Sequence, residues 1–381
     1  MFTFAELLHP ITPDAFRAEY DGRKPLHIPA GTDDRKRAVL DWAAFNGLLN
    51  QPDVWTPNTL LLMRDHVPVP AEQYCSIVQT PTGGVIQRLS MRKVEVFLSA
   101  GSSLVGNAVQ NISPLIARLS AMLSREFAAN VGANIYCSFA GVQAFGTHYD
   151  THDVFAIQTE GEKVWRLYQN RAENPVEEIV GRPGIRQWIE QNRGPLMTEV
   201  HMRPGDVLYL PRGWYHDALA RDGESLHLTL SITPLTGAAV LNALHAAAMQ
   251  DPVVRGWLPP ADQGNGEPLK ARIAEVMQVL SRLAETPALI DEIAMAQNRT
   301  TVPPTTFTLP LRKPVTLMRT TGMAFPPTTA LRKRVYDWAG IERRFALEDL
   351  IASFDEMPET EVRDAVDAAL AAGALTREQA G

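Results

Sequence analysis

The spacing of apolar residues changes character several times along this chain. Over roughly the first 100 residues short apolar segments alternate with turn formers, as in PLHIPAG (residues 25–31) and TPTGGV (residues 80–85). That pattern predicts strands and loops with short helices, a layer surrounding something larger. In residues 113–129, SPLIARLSAMLSREFAA, a serine cap and a proline at the first helical position precede apolar residues at helical spacing. One amphipathic helix is predicted there. The segments NIYCSFA, DVFAIQT, KVWRLYQ, GDVLYLP and SLHLTLSIT that follow are short, rich in Val, Ile, Tyr, Phe and Trp, and punctuated by glycine and proline. They predict strands of an antiparallel barrel or sandwich, so the middle of the chain is mainly β.

From about Leu235 helical spacing returns in GAAVLNALHAAAM and LKARIAEVMQVLSRLAET, separated by the loop LPPADQGNGEP. Residues 302–327 contain VPPTTF, LPLRKP and AFPP and predict a proline-rich connector with one or two edge strands. FALEDLIASF and PETEVRDAVDAALAAGAL then resume helical spacing, as a small C-terminal domain would.

Composition narrows the class. A chain of 381 residues holds two or three domains at about 150 residues each. Its 45% hydrophobic and 21% charged content is globular, and no apolar run nears the ~20 residues of a membrane span. The 36 basic against 43 acidic side chains leave a net charge of −7, which argues against general attraction to nucleic acid while allowing local basic patches. Cys75 and Cys137 are too few for a disulfide framework, and the start MFTFAELLHP lacks the basic-then-apolar pattern of a signal peptide. A reduced, cytoplasmic compartment is expected.

The chemistry lies in GTHYDTHDVFAIQTEGEKVWRLYQ, residues 146–169. On an extended strand His148 and Asp150 project to one face, so an imidazole and a carboxylate can converge on one ion. A second imidazole is offered by His216 in RPGDVLYLPRGWYHDA, where a strand ends at a Pro-Arg-Gly turn able to aim it back into the barrel. Two neutral imidazoles and one carboxylate leave open metal positions, the arrangement of a non-haem Fe(II) oxygenase, whereas closed structural zinc would want four ligands. His152 is a candidate for contact with the metal site's surroundings or with substrate. His9, His27, His66, His201, His227 and His245 read more simply as surface or core-edge residues.

The segments HYDTHDVFAIQTEGEKVWRLY and MRPGDVLYLPRGWYH resemble the JmjC-type cupin oxygenases, specifically the branch containing the ribosomal oxygenases. The resemblance implies a double-stranded β-helix (cupin, or jelly-roll) core with a helical dimerisation region and a small winged-helix-like domain. On this reading residues 1–235 are the catalytic domain with its N-terminal surround, 236–300 the dimerisation region and 301–381 the C-terminal domain. It implies Fe(II) held by His148, Asp150 and His216, 2-oxoglutarate as co-substrate, and hydroxylation of a protein side chain, plausibly of a ribosomal protein. Lys163 matches the basic residue that holds the distal carboxylate of 2-oxoglutarate. A lysine adjoining Val164 and Trp165 in a β segment is an unusual place for a charge; pointing inward it would need an anion, and pointing outward it would be a solvated edge-strand lysine.

Asn134 and Tyr136, two apart in NIYCSF, share a strand face and are candidates for binding the same co-substrate or the target residue. Thr229, Ser231 and Thr233 also alternate onto one face, and Ser231 is the favoured pocket hydroxyl, although threonine is also simply a good β former. Cys137 and Cys75 read as buried small residues. The alternatives are a small-molecule or peptide-modifying metal cupin, and a non-catalytic protein-binding cupin. Which side chain is modified stays open among arginine, histidine and asparagine, as does demethylation. The C-terminal ETEVRDAVDAALAAGAL is more acidic than basic, so no direct DNA binding is expected. The basic LRKRVYDW and IERRF of residues 331–345 are either a solvated helix face or a ribosomal RNA contact. The apolar faces of residues 237–300 predict a homodimer.

Overall fold

In a computed structural model of the chain the residues described are 2–31, 35–51, 53–79, 83–139, 144–177, 184–220, 223–300 and 315–378. Part of the turn predicted at residues 80–85 and most of the proline-rich connector therefore lie outside the described residues. The chain divides into two compact units, one of residues 1–234 and the other beginning at Leu235.

The first unit is built on thirteen described strands. These are β1 (Leu26–Ile28), β2 (Leu60–Arg64), β3 (Val67–Pro68), β4 (Cys75–Gln79), β5 (Val85–Leu89) and β6 (Ser103–Gly106). There follow β7 (Ala129–Ser138), β8 (Asp153–Glu160), β9 (Lys163–Arg171), β10 (Leu196–Met202), β11 (Val207–Leu210), β12 (Trp214–Ala220) and β13 (Ser225–Pro234). One sheet has the order β1-β11-β8-β13-β7-β6-β2-β3 and a second the order β10-β9-β12, every pair antiparallel. The two sheets close on a shared cluster in which Val154, Ala156, Leu208 and Leu210 of the large sheet meet Trp165, Leu167, Val200 and Met202 of the small one. This is the expected double-stranded β-helix.

Alternation decides what each sheet face carries. On β13 Leu226, Leu228, Leu230 and Ile232, and on β7 Val131, Ala133, Ile135 and Cys137, pack into the main core with Phe4, Phe16, Leu119 and Leu123. The predicted helix runs Pro114–Phe127, and the Ser113 hydroxyl accepts from the backbone N–H of Ile116. The opposite parity of the same two strands, Asn134 and Tyr136 with His227, Thr229 and Ser231, faces the interior of the double sheet. The large sheet is thus apolar on its helix-covered side and polar on its inner side.

The sequence pattern does not reveal β10 or β12. β10 is an edge strand with mostly exposed side chains, and β12 alternates His216 with the buried Tyr215 and Asp217, so neither shows an apolar period.

In the second unit, helices Gly237–Ala248, Glu267–Ala284 and Pro287–Thr300 precede three strands, β14 (Leu317–Thr320), β15 (Arg344–Ala346) and β16 (Leu375–Glu378). β14 is the centre of the order β15-β14-β16, not an edge strand as its proline-rich surroundings suggested. Helices Ala330–Glu342, Leu347–Ala352 and Glu359–Ala371 cover that sheet over a core of Met318, Val335, Leu350, Val362 and Leu375. The basic cluster is paired with acids: Arg332 with Glu361 and Asp364, Lys333 with Asp337, Arg334 with Glu356, Arg344 with Glu378. Among the described residues no helix is long and apolar enough to cross a membrane.

Candidate metal centre and its cavity

His148 and His216 are brought together by the backbone. Each donates its N–H to the other's carbonyl, His148 to His216 at 3.0 Å and His216 to His148 at 2.8 Å, an antiparallel bridge that sets the two imidazoles side by side, ring centroids 4.5 Å apart. The segment holding His148 and Asp150 is a single bridge ahead of β8 rather than the extended strand its spacing suggested. β12 carries an irregularity between Trp214 and His216, the kind of local twist that re-aims a side chain.

The turn at residues 211–213 fixes the approach. Asp153 accepts the backbone N–H of Arg212 at 2.6 Å and the Tyr209 hydroxyl at 3.0 Å. The N–H of Gly213 donates to the Asp150 carbonyl at 2.8 Å. Gly213 has φ +82°, and a Cβ there would collide with the Ala172 carbonyl, so only glycine fits this link between the turn and the acid's backbone.

One ligand atom from each of His148, Asp150 and His216 lies within 4.8 Å of the others. The His148 Nε2 is 3.8 Å from the Asp150 carboxylate and that of His216 is 3.5 Å from it. Both rings turn Nδ1 to a backbone carbonyl, His148 to Gly146 and His216 to Trp214, each at 2.9 Å. Such a bond places the proton on Nδ1 and leaves the Nε2 lone pair for a metal. Burial, with the neighbouring His148 ring, pushes the His216 imidazole down to about 4, so it is neutral near pH 7. Burial works against the Asp150 carboxylate, but the surrounding imidazoles of His216, His148 and His152 hold it below the usual range. Two imidazole nitrogens, that of His216 neutral, beside an ionised carboxylate are the donor set a divalent cation requires. Behind the bridge, Asp217 accepts from the Tyr168 hydroxyl at 2.7 Å and the Thr147 hydroxyl at 2.8 Å, which ties the two ligand-bearing segments together from the other face.

These groups open on a cavity of about 220 Å³. That is small beside the ~300–1,000 Å³ of drug-sized sites and suits a small acid. Lys163 and Trp165, on one face of β9, line it, and so do Asn134, Tyr136, Thr229 and Ser231. Lys163 is 2% exposed, no carboxylate among the described residues lies within ion-pair distance of it, and burial pushes its ammonium down to about 8. The solvated-edge alternative for Lys163 is thereby excluded. The Asn134 side-chain oxygen accepts the backbone N–H of Ala108 at 3.2 Å, and the Ser231 hydroxyl donates to the Gly132 carbonyl at 3.2 Å. Thr233 is exposed and is not among the lining residues. His152 lines the cavity.

His227 is the residue that sequence reasoning misassigned. It is 3% exposed and lines the cavity, its ring stacked on Tyr136 at 4.8 Å and edge-on to Trp165 at 5.5 Å. Its parity was the available signal, because it lies two residues before Thr229 on the strand face already singled out.

Residues 107–240 match the family described as the JmjC domain, a span that includes every residue lining the cavity. A bifunctional lysine-specific demethylase and histidyl-hydroxylase NO66 of Dictyostelium discoideum is 30% identical over 229 residues, 60% of this chain and 42% of that protein. Ribosomal oxygenase 1 of Homo sapiens is 38% identical over 135 residues, 35% of this chain and 20% of that protein. The chain spans about two fifths of the length of the relatives matched over the longer stretch. Among solved structures, E. coli YcfD has a TM-score of 0.52 at 13% identity, covering 97% of this chain and 98% of that one. A structure of YcfD, a ribosomal oxygenase, in complex with cobalt and 2-oxoglutarate has a TM-score of 0.50 at 12% identity. At such identity the likeness shows a shared fold.

Proposed function

Because residues 107–240 are a JmjC domain, we propose that this chain is an Fe(II)- and 2-oxoglutarate-dependent oxygenase that hydroxylates a side chain of a protein. A ribosomal protein is the proposed substrate, since the relatives are named ribosomal oxygenases and histidyl-hydroxylases. The observation that carries this reading is Lys163, a buried ammonium with no carboxylate within ion-pair distance among the described residues, lining the same small cavity as the two imidazoles and the carboxylate of His148, His216 and Asp150. Such a charge requires an anion, and a diacid that also reaches the metal ligands supplies one.

In this reading His148, Asp150 and His216 hold the iron and Lys163 holds the distal carboxylate of 2-oxoglutarate. Asn134, Tyr136 and Ser231 supply the remaining polar contacts. Bound iron and 2-oxoglutarate would let dioxygen act as the oxidant, with 2-oxoglutarate giving two electrons as it becomes succinate and carbon dioxide and the target C–H bond giving the other two as it is hydroxylated. The chain's own part is to fix three donors through the paired backbones of His148 and His216, to keep the His216 imidazole neutral, and to exclude water with Trp165, Val154 and Phe145 around the cavity.

The remaining assignments belong to the same reading. Residues 236–300 form a homodimer interface, supported by the exposure of Leu241, Ile273, Met277 and Ile290. Residues 301–381 form a winged-helix-like domain that faces protein rather than DNA. A ribosomal substrate and two unbridged cysteines agree with a cytoplasmic enzyme.

The test is to incubate the chain with Fe(II), 2-oxoglutarate and ribosomal proteins and to follow succinate release and the intact masses of those proteins. A gain of one oxygen atom on one protein, dependent on 2-oxoglutarate, is expected. Succinate release without any modified protein would turn the reading to a small-molecule substrate, and no 2-oxoglutarate consumption would refute it.

A further inference from the structure

His227 sits at the inner wall of the cavity with neither ring nitrogen hydrogen-bonded among the described residues. Its Nδ1 is fully enclosed and without a partner, whereas Nε2 is not among the enclosed unpartnered atoms and opens toward the cavity. A neutral imidazole carries one proton, and an enclosed N–H without an acceptor is costlier than an enclosed lone pair. The proton therefore belongs on Nε2, and the ring presents a donor to the cavity. The ring is fixed in that pose by its stack on Tyr136, interplanar angle 8°, and by the edge of Trp165. Lys163 is close enough that its charge adds to the burial that keeps the imidazole unprotonated.

We infer that His227 is a specificity-determining residue that donates Nε2–H to the same distal carboxylate that Lys163 neutralises. The inference rests on the 2-oxoglutarate reading above. An ammonium alone attracts any anion, whereas an ammonium from β9 of the small sheet and a directed N–H from β13 of the large sheet select an acid whose second carboxylate sits at one depth. A polar ring with a donor on its Nε2 costs stability in a packed wall relative to an apolar ring, and a ligand contact at that nitrogen offsets the cost where a packing role would not.

The test measures binding rather than turnover. Protein loaded with Co(II) is titrated calorimetrically with 2-oxoglutarate and with pyruvate, a 2-oxo acid that lacks the distal carboxylate. In the parent 2-oxoglutarate should bind far more tightly than pyruvate. His227→Phe keeps the ring and its stack but removes the donor; it should weaken 2-oxoglutarate about tenfold while leaving pyruvate unchanged. His227→Gln, which can place a side-chain N–H in the same direction, should recover part of the loss and serves if the Phe variant does not fold. The melting temperature of His227→Phe should equal or exceed the parent's. Undiminished 2-oxoglutarate binding by both variants, or an equal loss for both acids, would overturn the inference. A parent that does not prefer 2-oxoglutarate over pyruvate would instead overturn the co-substrate reading.

Discussion

The buried ammonium of Lys163 makes a prediction that can be worked through in numbers. Burial moves this group from its ordinary value of 10.5 to about 8. At about 1.4 kcal/mol per pH unit, the charged form costs the ligand-free folded chain about 3 kcal/mol at neutral pH. Lys163→Met keeps most of the aliphatic stem and removes the charge, so the metal-free variant should be more stable than the parent by up to that amount. For a unit of this size each 1 kcal/mol moves the melting temperature by about 2–4 °C, which predicts a rise of several degrees. The sign of the pH dependence follows from proton counting. Above about pH 8 the folded lysine loses its proton while the unfolded one keeps it until about 10.4, so the parent gains stability across that window and its deficit against the variant closes. Ligand reverses the order, because with Co(II) and 2-oxoglutarate at a thousand times its dissociation constant the parent gains about 4.1 kcal/mol, more than its deficit, and the variant, unable to pair the distal carboxylate, gains far less. Circular-dichroism melts of both proteins near pH 7 and near pH 9.5, without and with ligand, check each step. A Lys163→Met variant less stable than the parent at neutral pH, or a stability gap that does not change with pH, would show that the lysine has an anionic or aqueous partner and would refute the argument.

Three further outcomes are expected. His216→Ala should lose Co(II) binding by at least tenfold in absorbance titrations while its backbone bridge to His148 keeps the fold, since the removed group is one of three donors and the bridge uses main-chain atoms only. Gly213→Ala should lower both the melting temperature and metal affinity, because its positive φ and the Ala172 carbonyl leave no room for a Cβ and the turn it shapes holds the Asp150 backbone; affinity unchanged in a destabilised variant would separate the turn from the site. Light scattering should give a dimer that Ile290→Arg converts to monomer, and a monomeric parent at micromolar concentration would remove residues 236–300 as an interface.

Local rules written in the sequence determined a good part of this molecule. The helix at Pro114–Phe127 was legible because its cap, its proline and its apolar spacing act within a few residues, and the inner strands were legible because one face of each meets an apolar core. His148 and Asp150 could be paired by spacing, and His216 found by the strand and turn that precede it. What only the tertiary structure decided depends on pairing between segments distant in the chain. The two histidines converge through a backbone bridge rather than an extended strand, β12 hides its period by burying Tyr215 and Asp217 behind His216, and β14 becomes a central strand because β15 and β16 both reach it. Lys163 could be read either inward or outward until two sheets closed over it. His227 shares its parity with Thr229 and Ser231, yet its importance shows only once Tyr136 and Trp165 have enclosed it and left one nitrogen facing the cavity. Alternation assigns a side chain to a face, but the burial that gives that face its chemistry is made by residues far away in sequence.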